Sequence, residues 1–219
     1  MAVKLAGGEA MLVALYDLDK TLVKRATFTP FLIFAARRLA PFRLLLLPVW
    51  VLLMLGYRLG LYGRDRLKSA GMTLMLGSQD LGTLRAVGRE FADRHLDRSG
   101  WNGEVLKLLE EDRARGATIV MATAAFEFYA AAFADKLGIT TIVATRWSGS
   151  GMDGANCYGE EKRRRVEAWL GARKARLRFV SDSFADAPLL NRADEPVFVT
   201  RSAQKRRKAE ARGWRVIDG

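Results

Sequence analysis

Met-Leu-Val-Ala-Leu-Tyr-Asp-Leu-Asp-Lys-Thr, residues 11–21, is the stretch on which the fold turns. Met11 to Tyr16 is apolar along its whole length, and a short run of this kind that stops abruptly reads as a strand buried on both faces. It stops at Asp17 and Asp19, so the acids lie at a strand end. Two carboxylates at i and i+2 leave an extended backbone toward the same side and can reach one site. Alone, such a pair fits a solvated strand-to-loop turn equally well, and the rest of the chain decides.

Downstream, helix and strand patterns alternate. Glu104 to Arg115 is helical and closes at Gly116, a suitable C-terminal cap, and Ala117 to Ala122 reads as a strand. Phe126 to Leu137 reads as helix, Thr140 to Ala144 as strand and Glu160 to Leu170 as helix. Leu177 to Val180 is a strand running into Ser181 and Asp182, and a strand near Val197 to Val199 and a helix from Ser202 to Arg212 complete the series. Such alternation predicts an α/β fold, a Rossmann-like and mostly parallel sheet with ligands at the carboxyl ends of its strands. Between Thr27 and Leu96 the pattern differs: helix-forming stretches are broken by Pro30, Pro41, Pro48 and several glycines, with no strand among them. The expected organisation is a catalytic core of residues 1–26 and 98–219 with an inserted all-helical cap at 27–97.

Four separated stretches then fall into a known order. Asp17-Leu18-Asp19-Lys20-Thr21 resembles the first motif of the haloacid dehalogenase superfamily. Thr123 after its strand, Lys162 near the start of a later helix and Ser181-Asp182-Ser183-Phe184-Ala185-Asp186 after a still later strand resemble the other three. The insert's position resembles subfamily IB, whose helical cap sits there, as in phosphoserine phosphatases and phosphatidylglycerophosphatase C. Two positions depart from the family pattern: Lys20 and Ser181 stand where glycine is frequent.

The resemblance implies a Mg²⁺-dependent phosphatase acting on a phosphomonoester. Asp17 would be the nucleophile, since a carboxylate that captures phosphorus splits hydrolysis into two easier steps. Asp19 would be general acid and base, and an acid at that position goes with phosphatases rather than dehalogenases. Thr123 and Lys162 would bind the phosphoryl oxygens, Thr123 with the amides of a helix N-terminus and Lys162 as a compact cation. Asp17, Asp182 and the backbone carbonyl of Asp19 would supply the hard oxygen ligands that Mg²⁺ prefers, with Asp186 and Thr21 in support. Each has a plain alternative: an N-cap for Thr123, a solvated lysine for Lys162, acids at a helix start for Asp182 and Asp186. The solvated reading is kept for Arg163, Arg164 and Arg165.

Composition narrows the rest. The net charge of +12 over 219 residues suggests a polyanionic neighbour: nucleic acid, anionic membrane or phosphorylated substrate. One cysteine excludes an internal disulfide, and with one histidine it makes a zinc site of Cys and His ligands implausible. Cys157 reads as a small packed or loop residue and His95 as a surface or capping residue. Met1 to Ala10 does not read as a signal peptide, which implies a cytoplasmic protein.

Leu44 to Tyr57 is fourteen residues without charge, short of the roughly 20 that span a bilayer. Two readings stand. Phe28 to Phe34 and this run, bracketed by Arg37, Arg38, Arg43, Arg58, Arg64, Arg66 and Lys68, fit a segment lying in the headgroups of an anionic membrane, with Trp50 and Tyr57 at the interface. They also fit buried core between cap helices. In the first case a lipid phosphate such as phosphatidylglycerophosphate is the natural substrate and the protein is peripheral on the inner face of the membrane. In the second it is a small soluble monoester of the phosphoserine kind. A non-catalytic nucleic-acid-binding reading, with Arg173, Lys174, Arg176, Arg178 and Lys205 to Lys208 on phosphates, ranks last because no nucleic-acid motif accompanies the charge.

Overall fold

The apolar run Met11–Tyr16 is a strand, β1, with Val13 to Tyr16 fully buried, and it pairs in parallel on both sides. A computed structural model describes residues 10–219; the reading of the first nine residues lies outside it. The remaining strands are β2 (Thr118–Phe126), β3 (Thr141–Trp147), β4 (Met152–Asp153), β5 (Ala175–Ser181), β6 (Glu195–Val199) and β7 (Arg215–Ile217). Among the described residues these form one sheet in the order β4-β3-β2-β1-β5-β6-β7, parallel except at β4. The chain fills one side of β1 with β2 and β3, then crosses to the other with β5 and β6. The switch point at the carboxyl end of β1 therefore opens a crevice, and Asp17 is the first residue in it. The α/β expectation holds. The two-residue β4, the edge strand β7 and the short helix Ala187–Arg192 were not foreseen, being too brief to carry a period.

Between β1 and β2 the chain is helical: α1 (Phe28–Leu39), a 3₁₀ segment (Pro41–Leu46), α2 (Leu47–Arg58), α3 (Arg64–Leu76), α4 (Leu81–Ser99) and α5 (Gly103–Ala114). Helices α6 (Glu127–Lys136), α7 (Glu160–Leu170), α8 (Ala187–Arg192) and α9 (Ala203–Glu210) complete the fold. Pro41 and Pro48 begin helical segments rather than breaking them, because a first-turn proline forfeits no intrahelical bond. Gly116 ends the turn after α5 at φ +75°, as its place in the sequence predicts.

Two apolar clusters lie on the two faces of the sheet, and the larger continues into the helical insertion. Phe31 of α1 stacks on Tyr129 of α6 with centroids 4.7 Å apart, which ties insertion to core. Trp50 is buried edge-on to Phe28, and a Cβ on Gly71 would meet its ring at 2.7 Å, so α3 carries a glycine where α2 seats its indole. Phe28, Phe31 and Trp50 thus belong to the core and not to a membrane interface, because each finds an aromatic partner across the insertion.

The rest of Leu44 to Tyr57 is not core. The large apolar side chains that stand exposed among the described residues are Phe42, Leu45, Val49, Val51, Leu52, Leu55, Leu59 and Leu61, all within one segment. The helical unit holding the first six of them, Pro41–Arg58, has 18 residues and is by length and composition long and apolar enough to cross a membrane. The uncharged run undercounts it because the 3₁₀ segment and Arg58 extend the helix at both ends.

The basic residues proposed for nucleic acid are largely engaged. Arg178 is buried, bonded to Asp112 at 2.5 Å and to Glu195; Arg176 pairs with Glu195, and Arg173 donates to the carbonyls of Trp169 and Leu170.

Candidate active site

Asp17 follows β1 directly, and its backbone N–H donates to the Val180 carbonyl at 3.0 Å, so β5 fixes where the chain leaves the sheet. The chain then turns instead of continuing extended: Thr21, Leu22 and Val23 donate back to Leu18, Asp17 and Leu18. Lys20 occupies the left-handed region at φ 57°, which is why glycine suits that position. The i and i+2 acids still face one pocket, through this turn rather than through a strand pleat. Ser181 has no such strain. Its hydroxyl donates to Asp186 Oδ2 at 2.7 Å and accepts from the Ser183 N–H at 3.2 Å, so the serine holds the acidic loop in place.

One cavity of about 170 Å³ is lined by Asp17, Asp19, Thr123, Lys162, Asp182 and Asp186 together with Lys20, Ala26, Ala124, Ser183, Arg64 and Tyr158. The stretches picked out in the sequence therefore converge. Thr21 lies beneath them, fully buried, and its hydroxyl accepts from the Asp182 N–H at 3.1 Å, joining the first and last motifs. Lys162, in the first turn of α7, is 1% exposed and bridges Asp17 Oδ1 at 3.0 Å and Asp186 Oδ2 at 2.7 Å. Burial alone would lower its pKa, but the two carboxylates outweigh burial and hold the ammonium charged. The arginines beside it pair with Glu160, Glu161 and Glu167, and Arg165 also caps the Ala144 and Ala155 carbonyls.

Thr123 is not at a helix N-terminus. β2 runs on to Phe126, and its register against β3 jumps from Ala122↔Val143 to Phe126↔Thr145. Thr123 to Ala125 form a bulge, braced by the Ala125 N–H donating to the Thr123 hydroxyl at 3.1 Å. Bulges re-aim side chains beside active sites.

Several contributors escaped the sequence reading. Thr27 is buried, and its N–H and hydroxyl donate to Asp19 Oδ1 at 2.8 and 2.7 Å, fixing that carboxylate while leaving Oδ2 free of protein partners among the described residues. Its position just before α1 was the available signal. Arg64 and Lys68, which one of the two readings of the insert placed at a membrane surface, turn inward. Arg64 lies 4.3 Å from the Tyr158 ring centroid, and Lys68 is buried, donating to the Ala124 carbonyl and to Asn156 Oδ1. His95 is also buried, edge-on to Phe133, with Nε2 3.3 Å from the Arg25 carbonyl. Cys157 is buried and free, as a small packed residue.

Burial pushes the Lys68 amine down to about 7, with the Arg64 charge adding to it. A base whose folded pKa lies below its unfolded value near 10.5 contributes stability that is fully present above 10.5 and is lost as pH falls toward 7. The melting temperature of the wild type should therefore rise relative to Lys68→Met by at least about 2 °C between pH 7 and pH 9. The Thr145 hydroxyl, 2.8 Å from both the Ala124 carbonyl and Asn156 Oδ1, donates to one of those acceptors at a time in the variant. Parallel pH profiles for the two proteins would show that Lys68 is not neutralised by burial.

The acids of the cavity outnumber its buried cation. Burial, with repulsion from Asp186, Asp19 and Asp182, pushes Asp17 up to about 7 despite Lys162, and burial pushes Asp182 up to about 6. Asp186 Oδ1 is buried with no protein partner among the described residues. These are hard oxygen donors short of positive charge, the condition a divalent cation relieves. Among the described residues no three His, Cys, Asp or Glu side chains form a closed metal cage. A cation here would rest on Asp17, Asp182 and the Asp19 carbonyl with non-protein oxygens, and such a partial shell suits Mg²⁺.

A Rossmann-like sheet with a helical insertion after β1, and acids gathered at the switch point, define a hydrolase scaffold of the haloacid dehalogenase type. The family model described as haloacid dehalogenase-like hydrolase matches residues 14–191, and the chain belongs to that family. It is 29% identical over 196 residues, 86% of each chain, to Protein CicA of Caulobacter vibrioides. It is 30% identical over 125 residues to a histidinol-phosphatase of Neisseria meningitidis, covering 51% of this chain and 56% of that one. A crystal structure of a protein with unknown function from Bordetella pertussis Tohama I superposes with a TM-score of 0.83 at 27% identity, covering 96% of this chain and 99% of that one.

Proposed function

We propose that this hydrolase is a Mg²⁺-dependent phosphomonoesterase of the subfamily IB type that works through an aspartyl-phosphate on Asp17, and that its substrate is a lipid phosphate such as phosphatidylglycerophosphate. The observation that carries the reaction class is the buried ammonium of Lys162 held between Asp17 and Asp186, beside an Asp19 pinned by Thr27. The phosphatase among the relatives supports the same class.

An oxygen of Asp17 attacks phosphorus while Asp19 protonates the departing alcohol oxygen. Asp19, now ionised, takes a proton from water, which attacks the phosphorus of the acyl phosphate and releases inorganic phosphate with Asp17 restored. Thr27 holds Oδ1 of Asp19, so Oδ2 is the oxygen at which the proton moves. Lys162 and the Thr123 bulge orient the phosphoryl oxygens, and Lys162 balances charge as it develops. A bound Mg²⁺ would add positive charge beside those oxygens.

Two features support the lipid substrate. The carboxylates lining the cavity are Asp17, Asp19, Asp182 and Asp186, all committed to the reaction, while Ala26, Arg64 and Tyr158 complete the wall. A leaving group that bears an ammonium finds no spare acid there among the described residues, whereas a neutral or anionic one meets Arg64. The exposed apolar face of α2 and its flanks, with Arg58 at the end of the helix, suits a helix lying in anionic headgroups, and residues 27–97 then act as cap and membrane-facing unit together.

The test is phosphate release from phosphatidylglycerophosphate in vesicles, from phosphoserine, from histidinol phosphate and from an aryl phosphate, each with Mg²⁺ and with chelator. Release should need the metal and be fastest on the lipid; preference for either amine-bearing monoester would establish the soluble reading instead. Leu52→Ser with Leu55→Ser should weaken co-sedimentation with phosphatidylglycerol vesicles by about 100-fold or more, since two buried leucines contribute roughly 3–6 kcal/mol. Hydrolysis of the aryl phosphate should be unchanged. Equal sedimentation of variant and wild type would remove the membrane from the proposal.

A further inference from the structure

A second cleft, of about 410 Å³, lies between α1 and α4 and shares none of its lining with the catalytic cavity. Its floor is apolar, built from Pro30, Ile33, Phe34 and Phe91, and its rim carries Arg25, Arg37, Arg38, Arg94 and Arg98. Of these five, Arg38 has a carboxylate within reach, Glu90 at 2.7 Å; the other four have none within 4.0 Å among the described residues. The guanidinium carbons of Arg38 and Arg94 lie 5.7 and 5.6 Å from the centroid of Phe34. Like charges crowded around an apolar floor repel one another unless a ligand brings the opposite charge, and a volume in this range accepts a small organic molecule.

The cleft also shares a wall with the catalytic loop. His95, at its back, contacts the Arg25 carbonyl, and two residues on, Thr27 holds Asp19. A ligand that draws Arg25 toward the cleft pulls on the segment that positions Asp19.

We propose that this cleft is an effector site for a nucleoside polyphosphate. The four guanidiniums with no carboxylate partner among the described residues match the three or four negative charges of a di- or triphosphate, each able to engage phosphate oxygens in pairs; a monophosphate would leave half of them uncompensated. Pro30 and Ile33 provide the apolar bed for a planar base, and the arginines beside Phe34 can stack on it as guanidiniums stack on bases. Binding is independent of the catalytic reading, whereas the coupling to turnover rests on Asp19 being the acid and base.

The probe is the non-hydrolysable analogue adenosine 5′-(β,γ-imido)triphosphate, titrated calorimetrically into the full chain. Arg37→Glu with Arg94→Glu should weaken binding by about 100-fold, the equivalent of two charge-assisted contacts, and leave basal hydrolysis of an aryl phosphate unchanged. Arg37→Gln with Arg94→Gln should show a smaller loss in the same direction. The analogue should alter wild-type kcat, and the charge-reversed protein should not respond. Orthovanadate, a ligand for the catalytic cavity, should leave the titration intact. Equal affinity in wild type and variant, or displacement by vanadate, would overturn the site. Displacement by phosphatidylglycerol vesicles would overturn the soluble ligand in favour of a lipid headgroup, and binding with no change in kcat would overturn the coupling.

Discussion

Asp17→Asn is expected to reduce turnover by at least about 10⁴-fold while the protein folds as before. The amide has nearly the shape of the carboxylate but is a poor nucleophile toward phosphorus, so the covalent route closes. The fold should survive because β5 positions residue 17 through its backbone, by the bond from its N–H to the Val180 carbonyl, and not through its side chain. Lys162 keeps Asp186 at 2.7 Å when one of its two partners becomes neutral. The expected direction of the stability change is also informative. An acid whose folded pKa is raised to about 7 loses stability as pH climbs from its unfolded value near 3.8 through 7, so at pH 8 without added metal the wild type carries an unfavourable charge that asparagine lacks. The variant should therefore melt at the same temperature or higher under those conditions, as read by thermal denaturation, with phosphate release measured on the same sample. A well-folded variant that keeps more than about 1% of wild-type turnover would remove Asp17 as nucleophile.

The parts of the molecule legible in the sequence are those whose signals are local. β1 was visible because its run is apolar throughout and ends at acids, and α7 because Glu160 to Leu170 carries a helical pattern. The order of the four motifs then placed Asp17, Thr123, Lys162 and Asp182 together, and they do line one cavity. What was not legible depends on partners distant in sequence. Thr27 looks like any residue before a helix until Asp19 is seen on its hydroxyl. Lys68 sits in a cationic stretch that composition assigns to solvent or lipid, yet it is buried against Ala124 and Asn156, residues 56 and 88 positions away. The apolar stretch around α2 was ambiguous for the same reason. Its composition is that of a core helix and of a membrane-facing one, and the difference lies in which side chains find neighbours: Trp50 does, whereas Leu52 and Leu55 do not.

Lys162→Met is expected to separate what this lysine does for the reaction from what it does for the fold. Methionine preserves the aliphatic length and removes the charge. The missing cation should lower kcat on an aryl phosphate by about 10²–10³-fold, the usual loss when one preorganised partner of a developing anion is deleted. The fold should suffer as well, because Asp17 and Asp186 are left buried beside Asp182 with no ammonium between them; removing one partner of a buried pair destabilises by about 3–5 kcal/mol. The two effects part in a double variant. Adding Asp186→Asn to Lys162→Met removes one of the stranded charges, and the Ser181 hydroxyl, 2.7 Å from Asp186 Oδ2, still has an acceptor in the amide oxygen. Much of the lost stability should return in the double variant, measured by denaturant unfolding, while turnover stays as low as in the single one. If activity returned together with stability, Lys162 would be a structural brace for the acidic loop, and the charge on the phosphoryl oxygens would have to be met by other groups in the cavity, of which Arg64 and Lys20 are the cations that line it.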